Sequence, residues 1–137
     1  MLRQDYTVTV ANPCLTATIP TVTFNPTTIT TTTADIATAE FAKPVDSVDT
    51  AYSGASLCGA LSYAITVDPV PETAWATIAT AIPDADGKIE LTIEAAKYDS
   101  SLAEDITKTV TVTVTFADWP VASGGPAGST STIEVTL

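Results

Sequence analysis

The sequence predicts an all-β protein whose strands form two antiparallel sheets packed as a sandwich. Apolar and polar residues alternate with a period of two in most segments, most clearly between Thr107 and Phe116, as they do in strands with one buried face. Thr, whose branched side chain suits a pleated surface, is the commonest polar residue. Segments rich in Pro, Gly or Asp separate the alternating runs, and strands do not alternate with helices.

The first predicted strand, at residues 6–10, precedes the domain. Its alternation of apolar residues with Thr gives it one apolar and one polar face. Pro13 then breaks the strand, because Pro fixes its own φ and restricts the residue before it. We therefore divide the chain into an N-terminal arm at residues 1–11 and a β-sandwich domain at residues 12–137. A half-apolar strand needs a sheet edge, in its own domain or in a neighbour.

The domain is expected to contain about seven strands. Residues 27–33, mostly Thr, form either an exposed edge strand or a loop. A turn at residues 83–87 predicts a hairpin, and residues 94–105 predict a crossing between the sheets. The pattern favours an immunoglobulin-like antiparallel sandwich with an extra N-terminal strand, and a closed barrel is the alternative. The other predicted strands cover residues 15–19 with 22–24, 36–41, 58–67, 75–82, 88–94, 107–116 and 131–137.

Cys14 and Cys58, the two cysteines of the chain, predict a disulfide. They are far apart in sequence, form no CxxC pair and have no His to accompany them, which excludes the usual zinc and thioredoxin-like sites. Two buried free thiols in a cytosolic protein are the alternative. The bond would stabilise the domain by about 3–4 kcal/mol. Together with the acidity of the chain, it predicts an extracellular or cell-surface location.

The charge of the chain limits its partners. The net charge is −11, with five basic residues and no His. Nucleic acids and anionic membrane surfaces require patches of Lys and Arg, so the composition argues against both. The sequence also contains no apolar run of the length that membrane insertion requires.

The sequence predicts no catalytic site, no metal site and no cofactor. Without His, Ser-His-Asp and Cys-His sites are impossible. Asp84 and Asp86 have the opening spacing of a calcium loop, but its later ligands are missing. Trp75 and Trp119 would form either a carbohydrate-stacking pair or parts of the core. A small hydrolase is therefore the weakest of the functional hypotheses.

The Thr-rich stretch after Pro26 is a candidate for O-glycosylation in an exported protein. Asn12 and Asn25 both precede Pro and so fail the rule for N-glycosylation. The candidate sites are Thr27, Thr28, Thr30, Thr31, Thr32 and Thr33.

Several segments together resemble the immunoglobulin-like repeats of secreted microbial surface proteins. In tandem arrays of such repeats, a strand like the arm is the last strand of one domain and leads into the next. The segments are Tyr6-Thr7-Val8-Thr9-Val10, Asn12-Pro13-Cys14, Cys58-Gly59 ahead of Tyr63-Ala64-Ile65-Thr66-Val67, and Tyr98-Asp99-Ser100-Ser101-Leu102 ahead of the Thr/Val strand.

The resemblance extends to donor-strand assembly in pilus subunits, in which the N-terminal extension of one subunit completes the fold of another. It implies a homo-oligomeric, head-to-tail helical filament outside the cell. The short arm and the position of the cysteines depart from the chaperone–usher pilins. Two alternative conformations of the arm are a strand folded back on its own domain and a disordered arm. The competing function is a single adhesin repeat that binds a ligand or acts as a spacer. The donor residues would be Leu2, Tyr6, Val8 and Val10.

Overall fold

The computed structural model describes residues 3–30, 36–53, 56–68, 76–78, 88–94 and 107–136. These residues are mostly β-structure arranged in two sheets, which confirms the all-β class. The described residues also form one short α-helix and two 3-10 helices, Pro13–Thr16 and Val121–Ser123. The strands are β1 (Thr28–Thr30), β2 (Ile36–Ala42), β3 (Leu61–Asp68), β4 (Ala76–Ile78), β5 (Lys88–Glu94), β6 (Thr107–Phe116) and β7 (Ser129–Thr136), and α1 is Ser47–Ala51.

The strands divide into a four-stranded and a three-stranded sheet. The first has the order β1-β7-β6-β3 and the second the order β2-β5-β4. All neighbouring strands are antiparallel except β1 and β7, which are parallel. Because strands distant in sequence lie side by side, the fold depends on long-range pairing.

The core lies between the two sheets and follows from the alternation in the sequence. On β6, Val110, Val112, Val114 and Phe116 are at most 1% exposed, and the Thr residues between them point to the other face. The opposite sheet contributes core residues from β2 and β5. β5 and β6 thus bury every second side chain, as a period of two requires.

The segment between the arm and β2 differs from its prediction. Residues 15–19 and 22–24 were predicted as a strand, but the structure has a 3-10 helix over Pro13–Thr16 and no named strand at residues 17–24. Pro13 occupies the start of the 3-10 helix, where its missing N–H costs nothing, and the Asn12 side chain accepts a hydrogen bond from the Cys14 N–H at 3.0 Å. These local contacts replace the strand that the sequence predicts at the start of this segment.

The chain then changes sheet. Asn25 and Glu40 exchange two backbone hydrogen bonds of 2.8 and 2.9 Å, which attach Asn25 to the edge of β2. Three residues later, β1 pairs with β7 in the other sheet. This segment therefore covers one lateral side of the sandwich, and β1 is the edge strand predicted within residues 27–33.

Helix α1 lies between β2 and β3, where the sequence predicts no strand. The Asp46 carboxylate accepts hydrogen bonds from the N–H groups of Val48 and Asp49 at 2.8 and 2.9 Å and so caps the helix. The predicted turn at residues 83–87 lies outside the described residues, as does the predicted crossing beyond Glu94.

Candidate functional site

The N-terminal arm projects from the domain with its apolar face uncovered. Tyr6, Val8 and Val10 are 78%, 81% and 88% exposed. Leu2, the fourth predicted donor residue, lies outside the described residues. The apolar side chains of the alternating segment are therefore not part of the core of the domain.

The arm makes no backbone hydrogen bond to either sheet within the described part of the chain. Its one described ion pair is internal, between Nε of Arg3 and Oδ1 of Asp5 at 3.0 Å, with both side chains more than 80% exposed. Such an exposed pair contributes little to stability. With respect to the described residues, the backbone N–H and C=O groups of the arm are thus free to pair with another strand.

The root of the arm is fixed by the predicted disulfide, which the structure contains. Cys14 and Cys58 are bonded, with their Cα atoms 5.3 Å apart. Both residues are buried. Because Cys58 lies just before β3, the bond holds the root of the arm beside the beginning of that strand.

Exposed apolar residues surround this root, and we call them the root patch. Leu15 follows Cys14 and Leu57 precedes Cys58, while Val45 and Tyr52 flank α1. The Ser47 N–H donates to the carbonyl of Thr18 at 2.9 Å and so connects α1 to the segment after the root. The members of the root patch, Leu15, Val45, Tyr52 and Leu57, are 50%, 56%, 58% and 53% exposed.

Strand β3 presents a second incompletely covered surface. It is the last strand of its sheet, and the core-facing residues Leu61, Tyr63 and Ile65 are only half-buried. The Tyr63 ring lies 6.0 Å from the ring of Phe41 in the opposite sheet. Its hydroxyl is buried without a hydrogen-bond partner among the described residues, and burial raises the pKa of this phenol above its ordinary value.

The predicted O-glycosylation sites are divided by the limits of the described chain. Thr27, Thr28 and Thr30 are exposed, and the last two belong to β1. Thr31, Thr32 and Thr33 lie outside the described residues. The structure thus leaves the first three hydroxyls accessible and does not test their modification.

Two of the described acidic residues accept backbone hydrogen bonds that hold local structure. Asp46 caps α1, and Oδ1 of Asp49 accepts a hydrogen bond from the Leu57 N–H at 3.3 Å. Within the described ranges, no group of three or more acidic or sulfur ligands is placed to hold a metal. Asp84 and Asp86, the residues with calcium-loop spacing, lie outside those ranges.

Neither described pocket has the size of a typical small-molecule site. One of about 160 Å³ lies beside Phe24 and Thr132, and one of about 130 Å³ lies beside Asn25 and Lys88. Ligand pockets usually measure roughly 300–1,000 Å³. Trp119 is half-buried against the core, and its predicted stacking partner Trp75 lies outside the described residues.

Comparison with protein-family models, with curated proteins and with solved structures found no match to this chain. No described helix has the length and apolar character needed to cross a membrane.

The edge of β3 is the feature that sequence reasoning missed. The alternation from Leu61 to Val67 predicts a strand with one buried face, but a period of two does not tell an edge strand from a central one. The order of the strands in the sheet determines whether a strand lies at the edge or in the centre.

Proposed function

We propose that this protein is a non-enzymatic structural subunit that assembles outside the cell into a head-to-tail filament by lending its N-terminal arm as a strand to a neighbouring copy. The observation that carries the proposal is the exposed, alternating apolar face of the arm. Burying Tyr6, Val8 and Val10 in a neighbour would contribute about 1.5–3 kcal/mol for each side chain. The arm backbone would gain hydrogen bonds in addition.

The strand order supports an immunoglobulin-like sandwich. In that fold one sheet has the order ABED and the other contains C, F and G. If residues 25–30 are strand A, the order A-β2-β5-β4 and the order β7-β6-β3 correspond to these sheets. The disulfide departs from the antibody pattern, because Cys14 and Cys58 both lie outside the strands.

The geometry of the contact favours an open filament. In a head-to-tail arrangement, the arm of one copy binds to a different surface of the next copy. The donor and the acceptor are therefore two different surfaces. Contacts between two different surfaces propagate along a helix when the rotation between copies does not close. A disulfide between two buried cysteines is also typical of oxidising compartments.

A tandem-repeat adhesin is the competing proposal, and the root patch favours it. Leu15, Val45, Tyr52 and Leu57 expose apolar surface at the end of the domain from which the arm departs. A preceding domain of the same chain would cover this surface and use the arm as its last strand. In that case the contact is intramolecular and forms no filament.

Negative-stain electron microscopy and light scattering of the purified chain test the proposal. We expect the unmodified chain to form filaments and Val8→Asp to abolish them, because the variant places a charge in the apolar interface. Thr9→Asp is the matched control, since it adds the same charge on the polar face of the arm. A chain that stays monomeric at all concentrations would remove the filament and favour the adhesin repeat.

A further inference from the structure

We propose that the outer edge of β3 is the acceptor that receives the arm of a second copy of this chain. This inference rests on the proposed function and specifies the surface at which two copies meet. Four features support it: the free strand edges, the direction of the backbone groups, the register of the side chains, and the charges at the ends of the arm and of β3.

Among the described residues, β3 is the longest strand edge without a hydrogen-bonded neighbour. It ends the four-stranded sheet and has eight residues. The outer edge of β2 already bonds to Asn25, β1 and β4 have three residues each, and β7 is flanked by β1 and β6. A guest strand forms the longest hydrogen-bonded ladder on the longest free edge.

The backbone groups that β3 offers belong to its core-facing residues. The Ala117 N–H donates to the carbonyl of Ala60 at 2.9 Å, and this pair continues the register of β3 with β6. Hydrogen-bonded and non-hydrogen-bonded pairs alternate in an antiparallel ladder, so the even-numbered residues of β3 bond to β6. The N–H and C=O groups of Leu61, Tyr63 and Ile65 therefore point to the free edge.

The side chains of these residues pack against the core and are incompletely covered. Leu61, Tyr63 and Ile65 are half-buried, whereas their partners in register on β6 are at most 1% exposed. The buried hydroxyl of Tyr63 also lacks a described partner. A strand added outside β3 would extend the sheet and lay apolar side chains beside this flank.

One antiparallel register places the three exposed apolar residues of the arm opposite the three half-buried residues of β3. It faces Arg3 with Asp68 on the outer side of the sheet, where opposite charges stabilise a cross-strand pair. On the core side, the register pairs Tyr6 with Ile65, Val8 with Tyr63, and Val10 with Leu61.

The neighbouring registers are less favourable. Moving the arm by two residues in one direction sets Asp5 opposite Asp68, and like charges that face each other destabilise a pair. Moving it in the other direction sets Arg3 opposite Thr66 and loses the charge pair. The charges of the arm and of β3 therefore select one register out of three.

The structure favours a second copy over the arm of the same chain as the occupant. The disulfide of Cys14 holds the root of the arm near the start of β3, so the chain's own arm begins close to this edge. The arm nevertheless stands away from the domain, with its apolar residues at least 78% exposed. As far as the described residues show, both the donor face and the acceptor edge are thus available to other copies.

Cysteine cross-linking tests the acceptor edge and the register together. Thr7 and Ala64 face each other in the proposed pair, and both are exposed. They form a non-hydrogen-bonded pair, whose Cα atoms lie about 4.5 Å apart, within disulfide range. We expect a mixture of Thr7→Cys and Ala64→Cys chains to form a covalent dimer under mild oxidation. The controls Ser62→Cys and Thr66→Cys, one register step away on either side, should cross-link several-fold less.

The outcomes separate this inference from the proposed function. If Ala64→Cys cross-links no better than the two controls while Val8→Asp still abolishes filaments, the assignment of β3 as the acceptor is wrong. The proposed assembly into filaments through the arm is then retained. If the unmodified chain does not assemble, the filament and the acceptor fall together. A chain that carries both Thr7→Cys and Ala64→Cys should form a ladder of covalent oligomers, and a monomer with an internal bond would overturn exchange between copies.

A charge swap provides an independent measurement of the register. Arg3→Glu should weaken assembly a few-fold at low salt, because it faces Asp68 with a like charge. The combination of Arg3→Glu with Asp68→Arg should restore assembly. Failure of the second substitution to restore it would contradict the pairing of these two residues.

Discussion

The Sγ atoms of Cys14 and Cys58 are bonded to each other, so the segment entering the domain is held beside the segment that leads into β3. The sequence separation of 44 residues defines a long closed loop. Breaking that loop enlarges the conformational freedom of the unfolded chain. The disulfide is therefore expected to be a large contributor to the stability of the domain.

We expect the Cys14→Ser/Cys58→Ser variant to lose about 4 kcal/mol in the free energy of unfolding. The reason is the entropy that the loop removes from the unfolded chain. Urea denaturation of the oxidised protein and of the variant measures the difference. Reductant should destabilise the unmodified chain and leave the variant unchanged, and an effect on both would show that the bond is not the cause.

Two adjacent glycines should respond differently to Ala. Gly124 has a φ of +81°, and a Cβ added there would meet no other atom within 4 Å, so Gly124→Ala should cost about 1–2 kcal/mol through backbone strain alone. At Gly125 a Cβ would meet the backbone carbonyl of Trp119, with the carbonyl of Pro120 at 2.9 Å. Backbone atoms do not rotate away, so Gly125→Ala should be the more destabilising variant by thermal unfolding. Equal losses would mean that this loop shifts to accept the methyl group.

The N-cap of α1 provides a matched pair of substitutions. Asp46 is 3% exposed and accepts two backbone hydrogen bonds. We expect Asp46→Ala to cost about 1–2 kcal/mol, because it leaves both N–H groups without their acceptor. Asp46→Asn keeps an acceptor oxygen and should cost much less. Chemical denaturation distinguishes the two variants, and equal losses would assign the effect to the charge.

Removal of the Tyr63 hydroxyl should not destabilise the domain. The hydroxyl is buried and has no described partner, so Tyr63→Phe removes a desolvated polar atom without breaking a described hydrogen bond. We expect unchanged or slightly higher stability at neutral pH in urea denaturation. Tyr52→Phe, at an exposed position, is the control for the loss of a phenol. A marked loss confined to Tyr63→Phe would reveal a partner for the hydroxyl.

The Tyr63 side chain should also make the stability of the domain depend on pH in the alkaline range. Burial raises the pKa of Tyr63 in the folded state above its ordinary value of 10.0. The folded state then holds the proton more tightly than the unfolded state, so stability falls as pH rises above this value. Tyr63→Phe should reduce that fall, as unfolding measured on both sides of pH 10 would show. Parallel pH profiles for the two proteins would contradict the assignment.

The long strands could be predicted from sequence because their alternation is local information. The predicted strand at residues 107–116 coincides with β6, and that at residues 88–94 with β5. The disulfide also followed from the number of cysteines and the absence of His. In these cases the residue types within a short window, or in the whole composition, determine the structure.

Local capping and long-range pairing account for what was missed. Asn12 and Pro13 favour a 3-10 helix at the beginning of the predicted strand, and Asp46 caps a helix that the sequence analysis does not predict. The parallel pairing of β1 with β7 and the free edge of β3 depend on contacts between distant segments. Periodicity within one strand contains no information on which strand becomes its neighbour.

The disulfide also determines how the domain would transmit tension along a filament. A pull on the arm enters at Cys14 and passes through the bond to Cys58, so β1, β2 and α1 are shielded from the load. β3 and β7 run in the same direction on either side of β6, with eight registered pairs on each side. In a tandem array, where the load would leave through the end of β7, tension between the start of β3 and the end of β7 would shear both ladders at once. An intact bond also prevents the extension of about 150 Å of chain, since the two cysteines are separated by 44 residue steps.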